Sequence, residues 1–152
     1  MNRKITTIVL IILVILGIIA ISFHATKKFY LDKEYYNDKG LTEIEYAEVK
    51  SLLDNKKTFI LFVYNNFCQF SVPCENIFKE TAIKNGIEIK QIPFQEFKKV
   101  DLYKKVKYSP SIIIIKNGKI VDYLNASKDE DIDKYQDSNE FESWLKKYVL
   151  FT

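Results

Sequence analysis

The chain has 152 residues, 47% of them apolar and 28% charged, with a formal net charge of +3. That length fits one domain, that balance excludes a disordered chain, and four Gly with three Pro are too few for a fibrous or loop-built protein. The 23 basic residues are interleaved with 20 acidic ones and Arg3 is the only arginine, so no basic stripe forms and no nucleic-acid partner is expected. The excess of Lys over Arg, with frequent Ile and Asn, is a composition common in AT-rich bacterial genomes.

Ile5 to Phe23 reads ITTIVLIILVILGIIAISF, with no charge and only Thr6, Thr7 and Ser22 as polar groups. As a helix this run spans roughly 28 Å, matching a hydrocarbon core of about 30 Å. Residues 1–26 are therefore read as a single-pass transmembrane anchor, and the membrane is the first expected partner. A cleaved signal peptide is the rival, because Ala20-Ile21-Ser22 resembles a cleavage site. The run exceeds the usual apolar core of a signal peptide, which favours a retained anchor. No Cys lies near the end of the run, so a lipoprotein anchor is not available. Arg3 and Lys4 precede the span while Lys27, Lys28 and Lys33 follow it, so the flanks nearly balance under the positive-inside rule. An extracytoplasmic domain is the favoured side.

Residues 27–41, polar and aromatic by turns, read as a juxtamembrane linker with one short element at most. Thr42 and Glu45 form a capping box ahead of Tyr46, Val49, Leu52 and Leu53, which predicts a helix over 42–55. Thr58 to Tyr64, TFILFVY, is a run of β-formers suited to a strand buried on both faces. A polar and aromatic connection, NNFCQFSVPC, ends in Pro73 at a helix start, and a helix over 75–84 stops at Asn85-Gly86. Ile87 to Ile92 alternates as a strand, Gln95 to Lys107 predicts a helix in its second half, and Ser111 to Ile115 is a further apolar strand. Asn117-Gly118 signals a hairpin returning along Lys119 to Leu124. Asn125 to Gln136 reads as acidic and irregular. Asp137 and Glu140 cap a last helix bearing Phe141, Trp144, Leu145, Tyr148 and Val149.

From Thr42 to Thr152 this order resembles the thioredoxin-like family. The carriers are the strand running into a cysteine-bearing loop and helix, the segment YSPSIIIIKNGKIVDYL from Tyr108 to Leu124, and the amphipathic last helix. The resemblance implies an α/β fold, a central mixed sheet with helices on both faces. It implies a cis bond before Pro110, and a substrate-binding place at Ser109 and Pro110, where an extended peptide pairs with backbone facing the cysteine loop. It implies thiol–disulfide exchange with a protein or peptide substrate and no cofactor.

The chain departs from the family at its site. The family motif is Cys-x-x-Cys, whereas Cys68 and Cys74 here have five residues between them. Ser71-Val72-Pro73-Cys74 has the family spacing with Ser71 in the attacking place. A second alignment gives that place to Cys68, preceded by Phe67, with a lengthened loop. Pro73 and the helix after it favour Cys74 as the second cysteine. The buried acid that many thioredoxins carry in the preceding strand has no counterpart in TFILFVY. A more distant similarity is to membrane-anchored thioredoxin-like proteins of Gram-positive bacteria, including bacteriocin transport accessory proteins.

Three readings of the cysteines stay open. In the first, Cys68 exchanges with a partner and Cys74 resolves the mixed disulfide, its thiolate favoured by the helix N-terminus. In the second, a Cys68–Cys74 disulfide pins the loop, contributing at most about 2–3 kcal/mol because the closed loop is short. In the third, both thiols are unpaired on the cytoplasmic side. His24, the one histidine, borders the anchor, so no metal site is expected. The Asp129–Asp133 run lacks the pattern of a calcium loop, and Asn125-Ala126-Ser127 matches a glycosylation sequon.

Overall fold

The computed structural model describes residues 27–65 and 73–151. After a 3₁₀ turn at Lys33–Tyr35, the chain forms β1 (Gly40–Glu43), α1 (Tyr46–Asp54), β2 (Phe59–Tyr64), α2 (Cys74–Lys84) and β3 (Glu88–Pro93). It continues through α3 (Phe94–Phe97), a 3₁₀ turn at Asp101–Lys104, β4 (Ser111–Lys116), β5 (Lys119–Asn125), α4 (Asp129–Gln136) and α5 (Ser138–Leu145). Among the described residues no helix is long and apolar enough to cross a membrane. The anchor reading of residues 1–26 lies outside them.

The five strands form one sheet in the order β1-β3-β2-β4-β5. β3 runs parallel to both β1 and β2, while β4 is antiparallel to β2 and β5. Residues 59–63 of β2 and 111–115 of β4 are buried without alternation, so both faces of the sheet centre are covered. On one face α2, α4 and α5 pack together. Phe78 of α2 is their hub, its ring 5.0 Å from Phe62, 5.6 Å from Tyr135 and 4.5 Å from Phe141 between centroids. On the other, α1 and the Asp101–Lys104 turn share a cleft of about 350 Å³ lined by Tyr46, Leu53 and Leu102. The expected α/β fold, a mixed sheet between helices, is the fold found.

Four local expectations change. Thr42 is not a helix cap. It lies in β1 opposite Lys90, and the helix starts at Tyr46 with Glu45 as an N-cap that makes no side-chain cap bond. The unpaired edge of β3 satisfies the backbone of Gly40–Glu43 with a ladder, which a local cap cannot offer. The segment read as a linker packs onto the domain: Phe29, Leu31 and Tyr35 are buried, and Phe29 bridges Val149 in parallel. Residues 95–107 hold α3 at their start and a 3₁₀ turn after it, not one helix in the second half.

The acidic stretch read as irregular contains α4. Asp129, Glu130 and Asp131 occupy its first turn, where negative charge favours the helix dipole. Its Tyr135 is fully buried. The last helix is capped as read, with the Asp137 carboxylate accepting from the backbone N–H groups of Asn139 and Glu140, but it ends at Leu145, so Tyr148 lies in a turn and Val149 in the bridge to Phe29.

Candidate active site

The site region lies where β2 ends, β4 begins and α2 starts. Val63 pairs with Ser111 across the β2–β4 ladder, so the Ser109–Pro110 peptide sits beside the exit of β2. That peptide is cis and Pro110 is buried. The turn is held on several sides. Ser109 Oγ donates to the Val63 carbonyl at 3.4 Å, and Asn65 Nδ2 donates to the Ser109 carbonyl at 3.4 Å. Ser111 Oγ donates to the Tyr108 carbonyl at 2.8 Å. The Tyr135 hydroxyl donates to the Pro110 carbonyl at 3.1 Å in a buried bond. Tyr108 stands out from this turn, 49% exposed.

Cys74 is the first residue of α2 and is buried, 3% exposed. Pro73 precedes it as the N-cap with φ −59°, the value its ring prefers, and leaves no amide to satisfy. Cys74 and Phe78 are four residues apart, so they lie on one face of α2. Phe78 packs on Tyr135, and Tyr135 holds the Pro110 carbonyl. Phe78 and Tyr135 therefore join α2 to the proline turn through α4.

Of the residues singled out in the sequence, Pro73, Cys74, Ser109 and Pro110 are placed at this one end of the sheet. Phe67, Cys68 and Ser71 lie outside the described residues, as does the proposed Cys68–Cys74 pairing. Sequence reasoning missed Tyr135 and Asn65. Tyr135 had a faint signal, since Ile132 and Tyr135 sit at helical spacing among acids.

Tyr64 closes β2, and burial first, then a hydrogen bond to Glu43, raises its pKa above the ordinary tyrosine value. The deeply buried Glu88 lies at the opposite end, on the first residue of β3. Burial pushes its pKa up, but Lys90 at 2.7 Å, Asn37 at 2.6 Å and Thr42 outweigh that and hold it below the ordinary value. Asp131 binds the Asn125 N–H at 3.0 Å and Lys134 at 3.1 Å. The sequon residue Asn125 is 6% exposed, and its Oδ1 accepts from the Ser127 N–H at 2.9 Å, so it is closed to a glycosylating enzyme.

The chain is similar to solved thioredoxins in fold. A point mutant of thioredoxin from Halobacterium salinarum NRC-1 aligns with a TM-score of 0.54 at 13% identity, over 76% of this chain and 96% of that one. Schistosoma mansoni thioredoxin gives 0.52 at 21% identity, over 74% and 99%. An Entamoeba histolytica thioredoxin mutant gives 0.52 at 17%, over 70% and 97%. No protein-family model matches the sequence, and no curated protein does. At these identities the likeness establishes the thioredoxin fold and nothing finer.

Proposed function

We propose that this thioredoxin-fold chain is a membrane-anchored, extracytoplasmic thiol–disulfide oxidoreductase acting through Cys68 and Cys74. The observation that carries the reading is the position of Cys74. It is buried at the start of α2, on the helix face that carries Phe78, and Phe78 packs on Tyr135, whose hydroxyl donates to the Pro110 carbonyl. A buried thiol beside the loop suits the resolving role, which needs proximity to Cys68 and not access to solvent.

The exchange balances as two displacements. The Cys68 thiolate attacks one sulfur of a partner disulfide, forming a mixed disulfide and releasing the other partner sulfur as a thiolate. The Cys74 thiolate then attacks the Cys68 sulfur, forming the Cys68–Cys74 disulfide and releasing the partner's second thiolate. The partner is reduced by two electrons and the cysteine pair is oxidised. The reverse sequence oxidises a partner dithiol. Ser109 and Pro110 would present backbone to an extended peptide held over the loop.

The full chain in detergent tests this. A reduction potential between about −120 and −270 mV supports exchange, and one below about −300 mV marks a structural disulfide and sinks the enzyme reading. Cys74→Ser should accumulate a mixed disulfide at Cys68, while Cys68→Ser should trap none. Trapping that persists in Cys68→Ser reverses the roles.

The five-residue spacing, with Ser71 where the family has a cysteine, favours a second reading. In it the chain is a non-catalytic thioredoxin-fold accessory protein, for example in bacteriocin export or immunity, with a structural Cys68–Cys74 disulfide. The low potential is its signature.

A further inference from the structure

The end of the sheet opposite Cys74 gathers basic side chains. Lys56 and Lys57 lead into β2 there, β4 ends there at Lys116, and β5 begins there at Lys119. The Gly118 N–H donates to the Lys57 carbonyl at 2.9 Å, joining the hairpin turn to the approach to β2. The Asp32 N–H donates to the Thr58 carbonyl at 2.9 Å, which brings exposed Lys27, Lys28 and Lys33 to the same end. Lys116 Nζ lies 4.6 Å from the centre of the Phe29 ring.

Of the carboxylates at this end, Lys57 takes Asp32 and Glu34, at 3.3 and 2.7 Å, Lys90 takes Glu88 at 2.7 Å and Lys50 takes Asp54 at 2.6 Å, while Asp38 is exposed ahead of β1. Lys27, Lys28, Lys33, Lys56, Lys116 and Lys119 make no salt bridge among the described residues. Beside them Tyr30 is 59% exposed. With Leu31 and Tyr36 it lines a groove of about 560 Å³.

We propose that this end of the domain is a contact surface for anionic phospholipid headgroups, an inference that rests on the anchored reading above. The chain enters the domain here. The apolar run ends at Phe23, and only His24, Ala25 and Thr26 separate it from Lys27. Three extended residues reach about 10 Å, so a retained anchor holds this end, and no other, against the bilayer. Lysines without carboxylate partners are drawn to an anionic leaflet, and an exposed Tyr suits the headgroup level. The consequence is orientation. Cys74 and Pro110 stand at the far end of β2, about 20 Å further out, facing away from the membrane.

The test uses the full chain mixed with phosphatidylglycerol-containing or pure phosphatidylcholine vesicles. Flotation reads retention, and lysine modification by a membrane-impermeant amine reagent is read by mass spectrometry. Phosphatidylglycerol should slow modification of Lys33, Lys56, Lys116 and Lys119 by about fivefold. Lys107, exposed beside the proline turn, serves as the control and should not change. High salt should restore the rates.

Flotation with both vesicles and equal lysine rates in both overturns the surface while leaving the anchor intact. Flotation with phosphatidylglycerol alone overturns the anchor and supports the surface. Flotation with neither overturns both. Protection by a soluble RNA duplex and none by phosphatidylglycerol would reassign the patch and overturn the proposal.

Discussion

Replacing Gly118 by Ala should damage the domain far more than a turn substitution ordinarily does. Asn117 and Gly118 have φ of 51° and 71°, the doubly left-handed backbone of a tight hairpin. An alanine there bears a cost of about 1–2 kcal/mol from its Cβ against its own carbonyl. Space adds to this. A Cβ at position 118 would stand 2.5 Å from the Leu53 carbonyl oxygen and 3.3 Å from the Lys56 Cα. Both atoms are backbone at the end of α1, so no rotamer change relieves them, and displacing them costs a further 1–3 kcal/mol or so. The sum is about 2–5 kcal/mol.

Gly86 supplies the control. Its φ is +60°, but a Cβ there meets nothing within 4 Å. Gly86→Ala should therefore cost only the backbone share, about 1–2 kcal/mol. The assay is urea unfolding of the full chain in detergent, followed by fluorescence of Trp144, which is 4% exposed and the only tryptophan. Midpoints compared at equal slope give the two losses. If the two variants unfold at the same urea concentration, the close approach of the hairpin to α1 is not what requires glycine at 118.

Tyr135→Phe removes the hydroxyl that donates to the Pro110 carbonyl at 3.1 Å and leaves a buried acceptor without that donor. It should cost about 1–2 kcal/mol in the same unfolding assay and slow mixed-disulfide formation. An unchanged exchange rate would separate this tyrosine from the proline turn's role. Glu142 is held at a pKa of about 2, against an ordinary 4.5, by hydrogen bonds from Lys146 and then Lys84, both at 2.7 Å, against the opposing effect of burial. Because its folded pKa is depressed, its stabilisation is present above pH 4.5 and is lost as pH falls toward 2. With both lysines exposed, solvent screening limits the two ion pairs to about 1–2 kcal/mol. Glu142→Gln should unfold at lower urea at neutral pH, and the gap to the parent should close below pH 3 or so. A gap that stays constant with pH would show that the loss is one of packing.

Continuous apolar runs, caps and turn residues settled much of this protein from sequence alone. TFILFVY and SIIII had to be central strands, because only a sheet covered on both faces buries such runs. Asn117-Gly118 had to be a tight turn, and Asp137 had to cap α5, because each signal acts within a few residues. Pro73 and Cys74 at a helix start, and Pro110 at the head of a strand, were legible for the same reason. Where a distant partner left no trace in the local pattern, local signals misled. Thr42 and Glu45 carry a valid capping pattern, yet the open edge of β3, more than forty residues away, took Gly40–Glu43 as a strand. Phe29 and Leu31 look like linker until Val149 offers a backbone to pair with. Tyr135 looked incidental until α4 packed against α2 and aimed its hydroxyl at Pro110. Sequence determined the elements whose own residue pattern admits one structure. Tertiary structure decided those whose remote partner left no local trace, and with them the arrangement that puts Cys74 and the proline turn at one end of the sheet and the lysines at the other.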